Sequence, residues 1–229
     1  TVYWVDGRKT MTKILGKGDT VGGVGVGALT GLAWRMDSLF AFSETQGFVR
    51  DGAGNWSMLP LAASGRKITA VESYMGNLYF LESDRGQIVK YASGAYNQVP
   101  QPWSNASVNG DLNLGVDFAI DTDIFVLLAD GRVLDLFQGE AKATVTPGVV
   151  PALAGASAMT TAPDSRWLYI VDPREGRLVR IARDGGQVNV YKPAEGAKSF
   201  IGVREVAVDE PANLVDLFTD EGLLSVRLP

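Results

Sequence analysis

Short apolar runs rich in aromatic and β-branched residues recur along this chain, each closed by a polar turn that contains glycine. They occupy residues 39–42, 78–81, 124–128, 168–171 and 214–218, and the turns after them carry Gly47, Gly86, Gly131, Gly176 and Gly222. The glycines fall 39 to 46 residues apart, which is the length of one supersecondary unit. Before each run lies a stretch with small residues, at 31–34, 71–74, 117–120, 159–162 and 205–208. After the turn comes an alternating strand, as at 87–91 or 177–181, and then a more polar stretch that runs into proline, at 56–60, 96–100, 143–147 and 188–193. Proline cannot donate to a ladder and suits the end of an outer edge strand. Four strands per period, with no 3.6-residue helical pattern, predict an all-β chain built from β-propeller blades.

The aligned first strands place Ala33, Ser73, Ala119, Thr161 and Ala207 at one level. Strands that converge on a propeller axis need small side chains there, and neither a sandwich nor an up-and-down barrel makes that demand. Residues 1–15 read as the third and fourth strands of a blade around Gly7, without first and second strands ahead of them, and the last copy supplies three strands. The pattern therefore predicts a six-bladed propeller with an incomplete first blade, a five-bladed ring being the alternative. Residues 1–229 are expected to form one propeller domain taken from a longer protein.

The tract Leu168-Tyr169-Ile170-Val171-Asp172 followed by Gly176-Arg177-Leu178-Val179-Arg180-Ile181 resembles the core of an NHL repeat, and Arg204-Glu205-Val206-Ala207-Val208-Asp209 resembles its leading strand. Tyr3-Trp4-Val5-Asp6 is similar to the YWTD repeat of receptor propellers, but it occurs once and in a different strand of the unit. The likeness is to the six-bladed propeller superfamily, in which such domains serve as sensor or binding regions appended to bacterial Ser/Thr kinases or phosphatases. That resemblance implies a binding role, and propellers host unrelated functions.

Composition narrows the chemistry. The chain has no His and no Cys, which removes Ser-His-Asp and Cys-His nucleophile pairs, imidazole or thiolate zinc sites, and disulfides. Carboxylate, Lys, Tyr and backbone groups remain. A net charge of −5 argues against nucleic acid as a partner. No apolar run approaches the ~20 residues that span a bilayer, so a membrane link would pass through a segment outside this chain. The expected location is extracytoplasmic or at the cell surface, with the cytoplasm still open.

Four features carry candidate chemistry. Residues 22–27 are glycine-rich but lack the Lys-Ser/Thr of a phosphate-binding loop, so they read as a connection between blades. Acidic residues gather at turns, in Asp121-Thr122-Asp123, Asp209-Glu210 and Asp220-Glu221. Such pairs serve glycoside hydrolysis or calcium binding when geometry allows, and otherwise they stabilise turns through their own backbone, which is the reading preferred. Trp34, Trp56, Trp103 and Trp167 offer stacking surfaces, but inter-blade packing is expected of most, and Trp103 is expected to be the most exposed. Asp117 and Glu205 occupy equivalent inner-strand positions, offset by three from Trp34 and Tyr74. The acidic pair is therefore expected at the channel mouth as a ligand site, with the aromatic pair packed between blades. The function expected is non-catalytic binding of a protein, small-molecule or glycan ligand, without cofactor or metal. A carboxylate-based glycan hydrolase or lyase and a purely structural scaffold are the alternatives.

Overall fold

The computed structural model describes residues 1–5, 11–35, 37–62, 67–195, 200–219 and 222–228. The strands alternate side chains across each sheet, so their apolar pattern decides how the sheets stack. Two compact units divide the chain, Thr1–Asn113 and Leu114–Pro229.

In the first unit, β1 (Val2–Val5) and β2 (Met11–Leu15) form a two-stranded sheet, followed by the short pair β3 (Thr20–Val21) and β4 (Val24–Gly25). Gly22 and Gly23, at φ 58° and 81°, make the turn between that pair, a geometry that costs most residues a steric clash. The glycine-rich tract is thus a tight hairpin. Blade 1 is the meander β5 (Leu29–Arg35), β6 (Ser38–Ser43), β7 (Gly47–Arg50) and β8 (Trp56–Leu59). Blade 2 is β9 (Ala70–Tyr74), β10 (Asn77–Glu82), β11 (Gln87–Tyr91) and β12 (Gln101–Pro102). The two blades bury Phe40 and Phe42 against Val71, Leu78 and Phe80, with the Phe42 and Phe80 rings edge to face at 4.9 Å. Gly31 permits this approach, because a Cβ there would lie 2.4 Å from Val71 Cγ1.

In the second unit, blade 3 comprises β13 (Gly115–Asp121), β14 (Asp123–Leu128), β15 (Val133–Phe137) and β16 (Glu140–Val145). Blade 4 comprises β17 (Ala158–Thr160), β18 (Trp167–Asp172), β19 (Arg177–Ala182) and β20 (Val188–Tyr191). Blade 5 has three strands, β21 (Val203–Asp209), β22 (Leu214–Thr219) and β23 (Gly222–Arg227). Strand β18 serves two cores at once. Leu168 and Ile170 pack toward blade 3, while Tyr169 and Val171 pack toward blade 5. Arg177, 2% exposed, pairs with the fully buried Asp172 at 2.9 Å and donates to the carbonyls of Val150, Pro151 and Ala152.

The fold is an all-β propeller, and five blades are present among the described residues, the alternative count rather than the preferred six. The N-terminal strands form a two-stranded sheet of their own, the pair of strands expected of residues 1–15. They cover the outer part of blade 1, where Val2, Leu15 and Ala41 share one core with Phe48. The fourth strand of blade 2 lies after Pro100 rather than before it. Tyr96, expected in that strand, instead lies edge-on to Phe40 at 5.7 Å and donates its hydroxyl to the Gly76 carbonyl. The pairing also resets the small-residue level: opposite Phe40, Tyr79, Phe125, Tyr169 and Asp216 stand Ala33, Glu72, Ala119, Thr160 and Ala207. Ser73 and Thr161 sit one residue further on, beside that level rather than at it. The expected turn at Gly7, Asp6 of the Tyr3 tract, and the Asp220-Glu221 pair lie outside the described residues.

Candidate functional site

The acidic tract 121–123 becomes chemically specific through its turn. Asp121 and Asp123 are paired across β13 and β14 with Thr122 alone between them. Thr122 sits at φ 65°, in a left-handed region that β-branched residues avoid. The turn sends both carboxylates to one side of blade 3. Asp121 accepts a hydrogen bond of 2.6 Å from Arg183 of β19's outgoing turn. That guanidinium also donates to Thr161 Oγ1 at 3.0 Å and lies 5.0 Å from the centre of the Phe125 ring.

Asp123 meets a different cation. In the β15–β16 pairing the register shifts between Asp135 and Leu136, leaving Lys142 as the extra residue of β16. A bulge of this kind re-aims a side chain. Lys142 Nζ donates to Asp123 at 2.5 Å and lies 3.6 Å from Asp135. Asp135 stands opposite Phe125 in the β14–β15 ladder and is only 6% exposed. Its Oδ1 is buried without a hydrogen-bond partner.

Burial pushes the Asp135 carboxyl above its ordinary value, the neighbouring Asp123 carboxylate adds to the rise, and Lys142 opposes it. The same contacts, led by the hydrogen bond to Asp123, raise Lys142. These groups line a groove of about 660 Å³ together with Thr144, Thr146 and Asp184. Chemically it is a carboxylate-rich recess with one ammonium shared between two acids.

The residues expected at the site are distributed differently. Trp34 is 53% exposed rather than packed between blades. It shares a side of β5 with Leu32, itself 42% exposed, and its carbonyl accepts from Ser73 Oγ at 2.7 Å. Tyr74 is half-buried at the end of β9. Asp117, half-buried, faces blade 4, where its Oδ2 accepts the Met159 N–H at 2.7 Å. Glu205 occupies the matching place in blade 5, each acid following a register shift and lying opposite Leu127 or Phe218. Glu205 is solvent-accessible yet closely surrounded, so loss of solvation raises its carboxyl, while an accepted bond from the Val206 N–H opposes the rise. The alternation expected to separate acids from aromatics holds along each strand. Within a stacked pair of blades, however, the two directions lead toward neighbouring sheets, so Asp117 addresses blade 4.

Trp56, Trp103 and Trp167 are occupied. Trp56 donates to the Ile14 carbonyl at 3.0 Å. Trp167 has Arg166 and Arg180 over its ring at 4.3 and 4.5 Å. Trp103 is half-buried, edge-on to Tyr79.

No family model matches the sequence, and no curated protein matches it. Similar folds occur among solved structures. Virginiamycin B lyase from Staphylococcus aureus aligns with a TM-score of 0.55 and 14% identity, over 88% of this chain and 70% of the lyase. PorZ, a bacterial surface component of the type-IX secretion system of Porphyromonas gingivalis, aligns with a TM-score of 0.57 and 21% identity, over 88% of this chain and 25% of PorZ. A chain of the nidogen/laminin complex gives 0.57 and 14%, over 76% and 67%. At these identities the likeness is one of fold.

Sequence reasoning singled out Asp121 and Asp123 but missed Asp135, Lys142 and Arg183. The signal for Asp135 was present: it is the one charged residue inside the apolar strand Val133-Leu134-Asp135-Leu136-Phe137. A charge at a strand's buried register needs a partner.

Proposed function

We propose that this chain is a non-catalytic binding module, a propeller that recognises a protein or small-molecule ligand as part of a larger bacterial protein. The observation that carries this reading is the groove of blade 3, where Asp135 keeps an unmet acceptor beside the shared Lys142. An enzyme reading is less well supported. A glycosidase needs two carboxyls flanking an open space for the scissile bond, whereas here Lys142 fills the space between Asp123 and Asp135. A histidine-to-alanine form of virginiamycin B lyase is described as catalytically inactive, and this chain contains no histidine. Fold-level likeness to a bacterial surface component and to a chain from a protein complex is compatible with a role outside the cytoplasm, and we place the module there.

Glycan and peptide arrays probed with the purified protein, followed by mass analysis of every bound ligand, test the reading. Saturable binding with unchanged ligand is expected. Turnover of a glycan that disappears in Asp123→Asn or Asp135→Asn would replace it with the hydrolase or lyase. Fractionation of the native cell tests the location.

A further inference from the structure

We infer that blade 1 docks a β-hairpin of a partner protein on its inner strand, beside the sheet of β1 and β2. The inference uses a surface apart from the groove of blade 3, and it rests on the reading of the chain as a protein-binding module. In each first strand, the residue just ahead of the Ala33 level faces the preceding neighbour. It is Val71 in blade 2, Met159 in blade 4 and Val206 in blade 5, opposite Phe80, Ile170 and Leu217, and these are 5%, 2% and 3% exposed. The matching residue of blade 1 is Leu32, opposite Ala41, and it is 42% exposed. Trp34, two residues further along the same side, is 53% exposed. Single apolar side chains at a surface need no explanation, but these two stand where the fold elsewhere closes.

What closes those positions has one chemistry. Val71 shares its core with Ala33, Phe40 and Phe42, Met159 with Ala119, Phe125 and Leu127, and Val206 with Ala158, Tyr169 and Val171. The cover is each time a hairpin of two strands, with a small residue on the first and, two apart on the second, an aromatic and another apolar residue. The outer half of the same side of blade 1 is already covered. Val2 of β1 and Leu15 of β2 share a core with Ala41 and Phe48, as Val133 of β15 and Val145 of β16 do with Val179 and Ile181 of β19. Trp56 of the outermost strand β8 donates to the Ile14 carbonyl of β2, which sets β2 on the outside and β1 on the inside. Among the described residues only β2 pairs with β1, so the inward edge of β1 carries no ladder. Two demands therefore coincide: the bare inner strand calls for a hairpin's side chains, and the open edge calls for its backbone. A hairpin of the stated pattern meets both and continues the cover that β1 and β2 begin.

The test titrates the full chain into a fluorescein-labelled peptide of residues 115–128 with lysine flanks, followed by anisotropy. This probe copies the β13–β14 hairpin, which carries Ala119, Phe125 and Leu127 in the required pattern. Saturable one-to-one binding is expected. Leu32→Asp should weaken it by roughly tenfold or more, the loss of one buried leucine contact. Because Leu32 is exposed in the chain alone, that variant should melt as the parent does, so the loss cannot come from a damaged fold. A peptide with Phe125→Ser and Leu127→Ser should not bind. The amides of residues 2–5 should exchange more slowly with deuterium when the parent peptide is bound, since the hairpin pairs with β1. Absence of binding by the parent peptide, equal binding in Leu32→Asp, or unchanged exchange in β1 overturns the inference. So does a dimer of the chain in sedimentation equilibrium that Leu32→Asp dissociates, because the face would then belong to a second copy. If the peptide fails while an array ligand binds, the docking inference falls and the binding reading stands. If neither binds, both fall.

Discussion

Replacing Arg177 by alanine should cost about 4 kcal/mol of stability. The side chain is 2% exposed and its partner Asp172 is fully buried, with Nε and Nη2 each 2.9 Å from Asp172 Oδ2. Removing one member of a buried pair leaves the other charge without solvent or counter-ion, here with only the Glu175 N–H at 3.4 Å beside Asp172, and that situation costs ~3–5 kcal/mol. Two other losses are smaller. The carbonyls of Val150, Pro151 and Ala152 would lose their donor, but these three residues are exposed, so water replaces it. Truncation also leaves a void, which blade 4 can only partly close. The penalty at Asp172 therefore dominates. Urea denaturation followed by tryptophan fluorescence and far-ultraviolet circular dichroism would measure it. The double variant Arg177→Met with Asp172→Leu should recover most of the loss, since an apolar pair has no charge to strand. A loss below about 1 kcal/mol for Arg177→Ala, or a double variant as unstable as the sum of the singles, would refute the argument.

Further outcomes follow from other positions. Thr122→Gly should raise stability by roughly 1 kcal/mol, because glycine adopts φ 65° without the strain a β-branched residue stores there; an unchanged or lower denaturation midpoint would count against strain. Gly31→Ala should destabilise by about 1–3 kcal/mol through collision with Val71, and Val71→Ala in the same chain should restore part of the loss on the same denaturation curve. Trp34→Ala should cost less than ~1 kcal/mol, as its ring is half in solvent, where a core tryptophan would cost several times more. Asp135 is raised in the folded protein, so the folded state holds that proton more tightly than the unfolded chain. Its contribution is complete below the ordinary aspartate range and is lost as pH rises through the raised value. The stability of Asp135→Asn relative to the parent should accordingly increase from acid to neutral pH in matched melting curves, and a flat or falling difference would contradict the sign.

The repeat was legible because buried strands must be apolar and turns with positive φ select glycine: Gly86, Gly131 and Gly176 all adopt φ between 59° and 89°. Blade number was harder to read, since residues 1–15 have strand character wherever they pack, and only pairing shows that they remain a two-stranded sheet. Register within the first strands was misread at Ser73 and Thr161. A one-residue offset leaves composition unchanged but moves a side chain to the other face. The groove was half visible. Asp121 and Asp123 lie in one tract, whereas Lys142 reaches Asp123 only because of a bulge, and Arg183 comes to Asp121 from the next blade. Neither relation leaves a trace in local sequence.

The two-sided burial of β18 bears on how the second unit assembles. Each blade pairs only strands that are neighbours in the chain, so sheet formation closes short loops and is fast. Stability then spreads from sheet to sheet through nearest-neighbour contacts, as in repeat proteins. Blade 4 gains from both sides, through Leu168 and Ile170 on one face and Tyr169 and Val171 on the other, while blades 3 and 5 each share one of these two cores. The amides of β18 should therefore be the last in this unit to exchange with deuterium. Blade 4 would be its folding nucleus, with blades 3 and 5 condensing onto it from opposite directions rather than in order of synthesis.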